Sequence, residues 1–319
     1  MKTRSFPELG VLLSLLAVCF GFTLASRQFL TLETWGNILT VSAETGLLAA
    51  GVTLLMITRE FDLSIGSNFA LSSMLVATLV RQQHFPPAAA ILVGIAAGAA
   101  VGALNGWVTG ATGIPSFITT LGAVMFWRGV VLAFTGGWPI TLDEKPAFFG
   151  WLAGPIGNSE FAMSALVWLL VSFFSYVLLH HTRFGNWTFA TGGKPGAAWA
   201  RGIPTGRVRI TCFAFAGGLA ALAGIIQFAR LGSMSPTDGV GLELEAISAT
   251  VIGGTSLMGG RGTVLGTVLG ALLMGVLATG LVLAGAPTYW FRSFVGLIIV
   301  LAVVFNTRFN AARFGRAAG

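Results

Sequence analysis

Residues 180–209 read HHTRFGNWTFATGGKPGAAWARGIPTGRVR, and here an otherwise oily chain turns basic. The stretch carries Arg183, Lys194, Arg201, Arg207 and Arg209 and no acid. Apolar segments flank it on both sides, so it must lie in water. The positive-inside rule makes that water the cytoplasm. The stretch is far longer than a link between two spans requires. It also has a small-residue centre of its own: Gly192, Gly193, Gly196, Ala197, Ala198, Ala200 and Gly202. That combination suits a surface gripped by a soluble partner.

Working outward, the rest of the chain is the composition of a membrane. Of 319 residues, 9% are charged and 55% hydrophobic, and the mean hydropathy is +0.85. This excludes an ordinary soluble domain and predicts an all-α, polytopic integral membrane protein, read as one domain over residues 1–319. The net charge of +7 speaks to topology and to the bilayer surface. Nucleic acid is not expected as a partner, because the basic residues form no helix or stripe. Cys19 and Cys212 sit in apolar stretches and suggest neither a disulfide nor a metal site. His84, His180 and His181 lie at span ends, where interfacial histidines are common.

A membrane-crossing helix needs roughly 20 apolar residues, and about ten candidates follow from that length. They are Leu9–Ala25, Asn37–Thr58, a short Asn68–Val80, Pro87–Ala111, Ile114–Phe134, Phe161–Leu179, Ile210–Arg230, an interrupted Leu242–Met258, Thr263–Ala284 and Trp290–Phe305. With the N-terminus inside, twelve basic residues fall on the inner side and six on the outer. Lys2, Arg4, Arg59, Arg261, Arg308, Arg313 and Arg316 join the five of the basic stretch; Arg27, Arg81, Arg128, Lys145, Arg230 and Arg292 lie outside. The bias predicts both termini in the cytoplasm of a bacterial inner-membrane protein. The start has the layout of a signal peptide, but the long membrane chain behind it favours an uncleaved first span. The periplasmic loop, about 136–159, sets Asp143, Glu144 and Lys145 among Trp138, Pro139, Phe148, Phe149 and Trp151. It fits a lid, a docking ledge or an interfacial aromatic belt.

Glycine totals 44 and is placed with order. Gly94, Gly98, Gly102, Gly106 and Gly110 recur every fourth residue, as do Gly262, Gly266 and Gly270. Residues four apart share a helix face, so each strip predicts close backbone approach by a neighbouring helix. Two segments break the apolar pattern differently. TREFDLSIGS, residues 58–67, and SATVIGGTSLMGGRGTVLG, residues 248–266, bring turn formers and hydroxyls into apolar stretches. Non-helical backbone at membrane depth survives only where protein buries it or water reaches it, and such breaks often line a transport path. They lie in opposite halves of the chain, a layout compatible with an inverted repeat. The candidates for a path or gate are Asp62, Ser64, Thr255 and Ser256 in these two segments, together with Asn105, Ser116, Phe117 and Thr120 from the stretch between them. Glu44 lies inside the second span and fits either a path lining or a side chain reaching the outer interface. Asp62 fits a helix cap or a partner of Arg59.

No G-x-x-x-x-G-K-[ST] phosphate loop is present; TGGKPG, residues 191–196, lacks the first glycine and the hydroxyl after Lys194. No nucleophile–base set or metal cluster is legible, so no enzyme activity and no cofactor are expected. The motifs together resemble the permease subunit of a bacterial ribose-type, or simple-sugar, ABC importer, from about Leu39 to Phe305. The family's G-x-D-L-S-V-G-S is matched by Glu60 to Ser67, with Glu60 in place of the first glycine. Asn105-Gly106, Ile114 to Gly122 and Arg128-Gly129 match its N-G, I-P-S-F-I-x-T-L-G and R-G elements, and Glu243 to Gly266 match a third long motif. The resemblance implies import of a monosaccharide by alternating access. It implies a second permease subunit, two ABC ATPase subunits and a periplasmic sugar-binding protein. The family's coupling pattern maps onto Gly192 to Ile203 within the loop of about 182–209, with Lys194 and Trp199 as departures. Gly192, Gly193, Ala197, Ala198, Arg201, Gly202 and Ile203 are the coupling candidates it implies. Related permeases for branched-chain amino acids or nucleosides share the mechanism. An ion-coupled secondary transporter would need an intramembrane acid, for which Glu44 is the candidate.

Overall fold

A computed structural model describes residues 8–287, 289–290, 293–294 and 296–297. Most of the expected tenth span, and Lys2, Arg4, Arg292, Arg308, Arg313 and Arg316, lie outside the described residues. Among those described, seven helices are long and apolar enough to cross a membrane. They are α1 (Glu8–Ala25), α2 (Leu32–Ile57), α4 (Pro87–Thr112), α5 (Ser116–Thr135), α7 (Met163–His181), α10 (Thr205–Leu231) and α12 (Val264–Leu283). Two shorter helices, α3 (Ile65–Arg81) and α11 (Leu242–Ile252), coincide with the two segments read as interrupted.

Burial sorts these helices. Helix α2 is 83% buried and α10 72% over their most apolar windows, whereas α1 and α5 are each 11% buried. The first pair forms the centre of the bundle. The second pair carries its large apolar side chains outward: Leu13, Phe20 and Leu24 on α1, Ile118, Met125 and Phe126 on α5. In water such faces would be penalised, while in lipid tails they are matched.

The regular glycines explain the closest helix pair. A Cβ on Gly98 would strike Ala221 and the Gly217 carbonyl, and one on Gly102 would strike the Phe213 carbonyl of α10. Gly94 and Gly106 face α10 as well, while Gly110 meets nothing within 4 Å. Four of the five glycines therefore make the seam between α4 and α10, where dispersion between backbones replaces side-chain packing. Asn68 of α3 closes it, donating to the carbonyls of Gly98 at 3.0 Å and Gly217 at 3.2 Å. The second strip works on α11 and α12. Gly266 abuts the Gly253 carbonyl and Gly270 the Ala249 carbonyl, while Gly262 packs on Thr255 and Ile57.

The basic stretch, for which the resemblance implies a loop carrying one short coupling helix, is helical along most of its length. It folds as α8 (Arg183–Gly193) and α9 (Pro195–Ala200), and α10 begins at Thr205, so Arg207 and Arg209 belong to a long helix. Hydropathy marks where lipid ends, but a helix propagates through its hydrogen bonds into water. At the other end, β1 (Ile140–Thr141) pairs antiparallel with β2 (Ser233–Met234). Helix α6 (Ala147–Ala153) buries Phe149 edge-on against Phe228 at 5.6 Å between ring centres. Trp138, Phe148 and Trp151 of this segment remain exposed.

Candidate functional site

The first interruption, between α2 and α3, is fixed by side-chain hydrogen bonds. Helix α2 ends with the Thr58 hydroxyl donating to the Leu55 carbonyl at 2.7 Å. Arg59 then turns the chain at φ 69°, a conformation that disfavours any residue with a Cβ. Just beyond it the Glu60 amide still reaches back to the Leu55 carbonyl at 3.1 Å, but the amides of Phe61 and Leu63 find their partners on α5. The Phe61 amide donates to Ser116 Oγ at 3.0 Å and the Leu63 amide to Thr120 Oγ1 at 3.1 Å. Both acceptors sit in the first turn or so of α5. An unsatisfied amide here would cost several kcal/mol (roughly) in lipid, which is why hydroxyls occupy these two helix positions. Asp62 Oδ1 accepts from the Ser64 amide at 2.8 Å and the Ser64 hydroxyl at 2.6 Å, and Asn105 of α4 donates to Ser64 Oγ at 2.8 Å. Asp62 Oδ2 is buried and receives no hydrogen bond.

The second interruption, between α11 and α12, is shaped by glycine. Gly254, Gly259 and Gly260 all take positive φ, between 71° and 89°, a region that glycine enters without steric cost. Backbone bonds hold it: Ser256 N to Arg261 O at 3.0 Å and Gly260 N to Ile57 O at 2.8 Å. Thr255 is buried with an unpartnered hydroxyl, and Ser256 Oγ accepts from the Met258 amide at 3.2 Å.

The basic helices meet both interruptions at one point. Gly192, near the end of α8, presses on the Ile57 carbonyl and on Gly260, so a Cβ there would collide with both. Arg59 reaches across to the Gly193 carbonyl at 2.9 Å. Helix α9 ends in a Schellman turn: Ile203 N bonds Ala198 O at 3.1 Å and Gly202 N bonds Trp199 O at 2.8 Å, with Gly202 at φ 82°. This gives a physical meaning to the Ala-Ala-x-x-x-Gly-Ile spacing. Ala198, buried within the chain, and Gly202 and Ile203 shape the helix end; Gly193, Ala197, Trp199 and Arg201 are exposed. Lys194 and Arg201 border a shallow groove with Trp187, Ala197 and Ile203.

At the opposite end, Glu44 of α2 is paired rather than free. Its Oε1 accepts from Arg230 Nη2 at 2.7 Å and Nε at 3.1 Å, and Lys145 donates to the Arg230 carbonyl at 2.7 Å. Arg128 of α5 donates to the carbonyls of Pro236, Asp238 and Gly66, tying the 232–241 segment to the start of α3.

The structure thus gathers Asp62, Ser64, Asn105, Ser116 and Thr120 into one network. Thr255 and Ser256 lie at the other interruption, Glu44 lies toward the far end with Arg230, and Phe117 is exposed on the outer face of α5. Sequence reasoning passed over Asn68 and the pairing of Glu60 with Arg209 at 3.1 Å. An amide side chain in an apolar span was the available signal for Asn68. Nothing local signals an ion pair whose partners are far apart along the chain.

Residues 34–303 match the family described as the branched-chain amino acid transport system, permease component. The chain belongs to that family. It is 36% identical to the ribose import permease protein of Escherichia coli strain K12, over 97% of this chain and 94% of that protein. It is also 36% identical to the autoinducer 2 import system permease proteins of E. coli O9:H4 and Shigella flexneri, over 94% of this chain and 87% of each. No solved structure matches it. The chain is a multi-pass transport permease and not an enzyme, as its helices and motifs led one to expect.

Proposed function

We propose that the chain is the membrane-spanning subunit of an ATP-driven importer that carries a ribose-type monosaccharide across a bacterial inner membrane. Residues 1–319 act as one permease domain with both termini in the cytoplasm. It pairs with a second permease subunit, receives cargo from a periplasmic sugar-binding protein, and takes its energy from ABC ATPase subunits. The observation that carries this reading is the seating of the end of α8, Gly192 and Gly193, against Ile57 and Gly260, where the two interrupted helices meet and from which α9 follows directly. A partner that moves α9 would move both at once. Gly193, Ala197 and Arg201 face that partner, while Gly192, Ala198, Gly202 and Ile203 hold the shape presented to it. Asp62, Ser64, Asn105, Ser116 and Thr120 are the path or gate residues on the first interruption, and Thr255 and Ser256 those on the second. Alternating access then follows from the coupled displacement of the two.

The test is uptake of labelled ribose into proteoliposomes holding the permease, its ATPase and its binding protein. The expected result is uptake that requires all three components and ATP; uptake that continues without the ATPase overturns the reading. Autoinducer 2 is a second cargo, favoured by the equal identity to permeases of that name. It is measured in the same vesicles. An ion-coupled transporter is disfavoured by the pairing of Glu44 with Arg230, which occupies its candidate acid.

A further inference from the structure

Two consecutive residues of the first interruption reach the basic helices on either side of α9. Arg59 Nη2 donates to the Gly193 carbonyl at 2.9 Å, just before α9 begins. Glu60 Oε1 lies 3.1 Å from Arg209 Nε, in the second turn of α10 and just past the Schellman turn. Helix α9 and its turn, residues 195–203, are bracketed by these contacts. Glu60 is buried, at 7% exposure, and Arg209 is partly buried, so this is not an ordinary surface ion pair. Glu60 also stands where the resembling signature has glycine, which could make no such link.

The neighbouring contacts are of another kind. Gly192 against Ile57 and Gly260, and Gly259 against Arg59, are close packing. Close packing resists compression steeply and separation only weakly, since a gap of about 0.5–1 Å already forfeits a quarter to a half of the dispersion well. A push on α9 therefore reaches both interruptions through glycine contacts. A pull needs attraction that persists as the groups part: the Arg59 hydrogen bond to Gly193, and the Glu60–Arg209 ion pair, a close charge contact without hydrogen-bond geometry.

We infer that Arg59 and Glu60 are positioning residues that carry the pulling half of the ATPase stroke from α9 to the α2–α3 interruption. The inference rests on the proposed ATPase coupling. Arg59 serves the α8 side of α9 and Glu60, through Arg209, the α10 side. Displacement of α9 away from the bundle then draws on residues 59–60. These lead directly into Asp62 and Ser64, so the polar network with Asn105 is loaded by the same movement.

The experiment uses the reconstituted permease–ATPase complex with its binding protein, and reads ribose taken up per ATP hydrolysed. Glu60→Gln, Arg209→Gln and Arg59→Gly are compared with the parent and with the swap Glu60→Arg/Arg209→Glu. Arg59→Gly decides the matter if a buried-charge variant fails to fold, since it removes an exposed side chain and relaxes the φ 69° backbone. The expected result is about a five-fold or larger fall in uptake per ATP in the single variants, the scale of an ordinary coupling free energy. Complex yield and basal hydrolysis stay at the parental level, and the swap recovers most of the loss. Single variants with parental uptake per ATP overturn the inference, as does an assembled swap complex no better than the single variants. A parent complex that never forms, or takes up ribose without ATP, instead removes the coupling reading beneath it.

Discussion

The two interrupted helices solve one problem in opposite ways. Both must carry irregular backbone inside an apolar bundle. Between α2 and α3 the exposed amides are met by side chains: Ser116 and Thr120 from α5, with Asp62 and Asn105 closing the turn. Between α11 and α12 the chain is turned by glycines at positive φ and held by backbone bonds and backbone contact. The first is specified by chemistry and the second by space. The hydrogen bonds of the first break can be removed by changing one side chain, whereas those of the second are backbone bonds that survive as long as glycine admits the turn. The difference makes the α2–α3 segment the one that depends on polar side chains and the α11–α12 segment the one that depends on glycine.

The comparison breaks first where space matters most. Gly266→Val places a side chain against the Gly253 carbonyl and Thr263. Overpacking against backbone should cost about 3 kcal/mol, the upper end of the usual range. A thermal unfolding series in detergent checks this, and an unchanged midpoint would mean that α11 and α12 are not in backbone contact. Next comes the chemical break. Ser116→Ala leaves the Phe61 amide without its acceptor and should cost about 2 kcal/mol, read in the same series. Thr120→Val, similar in shape but without an acceptor for the Leu63 amide, should cost about the same. Loss from either that is no greater than from an exposed serine such as Ser159 would show that the hydroxyls are not holding the turn. The smallest effect sharpens the contrast. Gly110 continues the α4 repeat but meets nothing within 4 Å, so Gly110→Ala should stabilise by up to about 1 kcal/mol through helix propensity. A loss at Gly110 would indicate that the strip is packed along its whole length.

Much of this was legible in the sequence because its signals are local. The four-residue glycine period marks a helix face open to close approach by a neighbour. The turn formers in residues 58–67 and 248–266 cannot be accommodated by uninterrupted helices of that length. The basic stretch identified a surface but concealed its form. Gly192, Gly193 and Gly196 read as a loop, whereas each is tolerated in short helices that lie on the bundle and take support from it. Which glycines touch, and what they touch, required the fold. Gly110 and Gly106 are indistinguishable by spacing, yet only Gly106 faces α10. Glu44 shows the same limit: a lone acid in a span fits either a path lining or a reach to the outer interface, and only the fold places Arg230 beside it. Ala198 is likewise placed only by the fold: it is buried within the chain at a Schellman turn, while Ala197 and Arg201 are exposed.

The most direct measurement is accessibility of a single cysteine at Ala197, an exposed position on α9, in a chain with Cys19 and Cys212 replaced by alanine. With membrane-impermeant maleimide, the account predicts labelling from the cytoplasmic face alone, and protection when the ATPase subunits are bound. Labelling from the periplasmic face, or labelling unchanged by the bound ATPase, would contradict it.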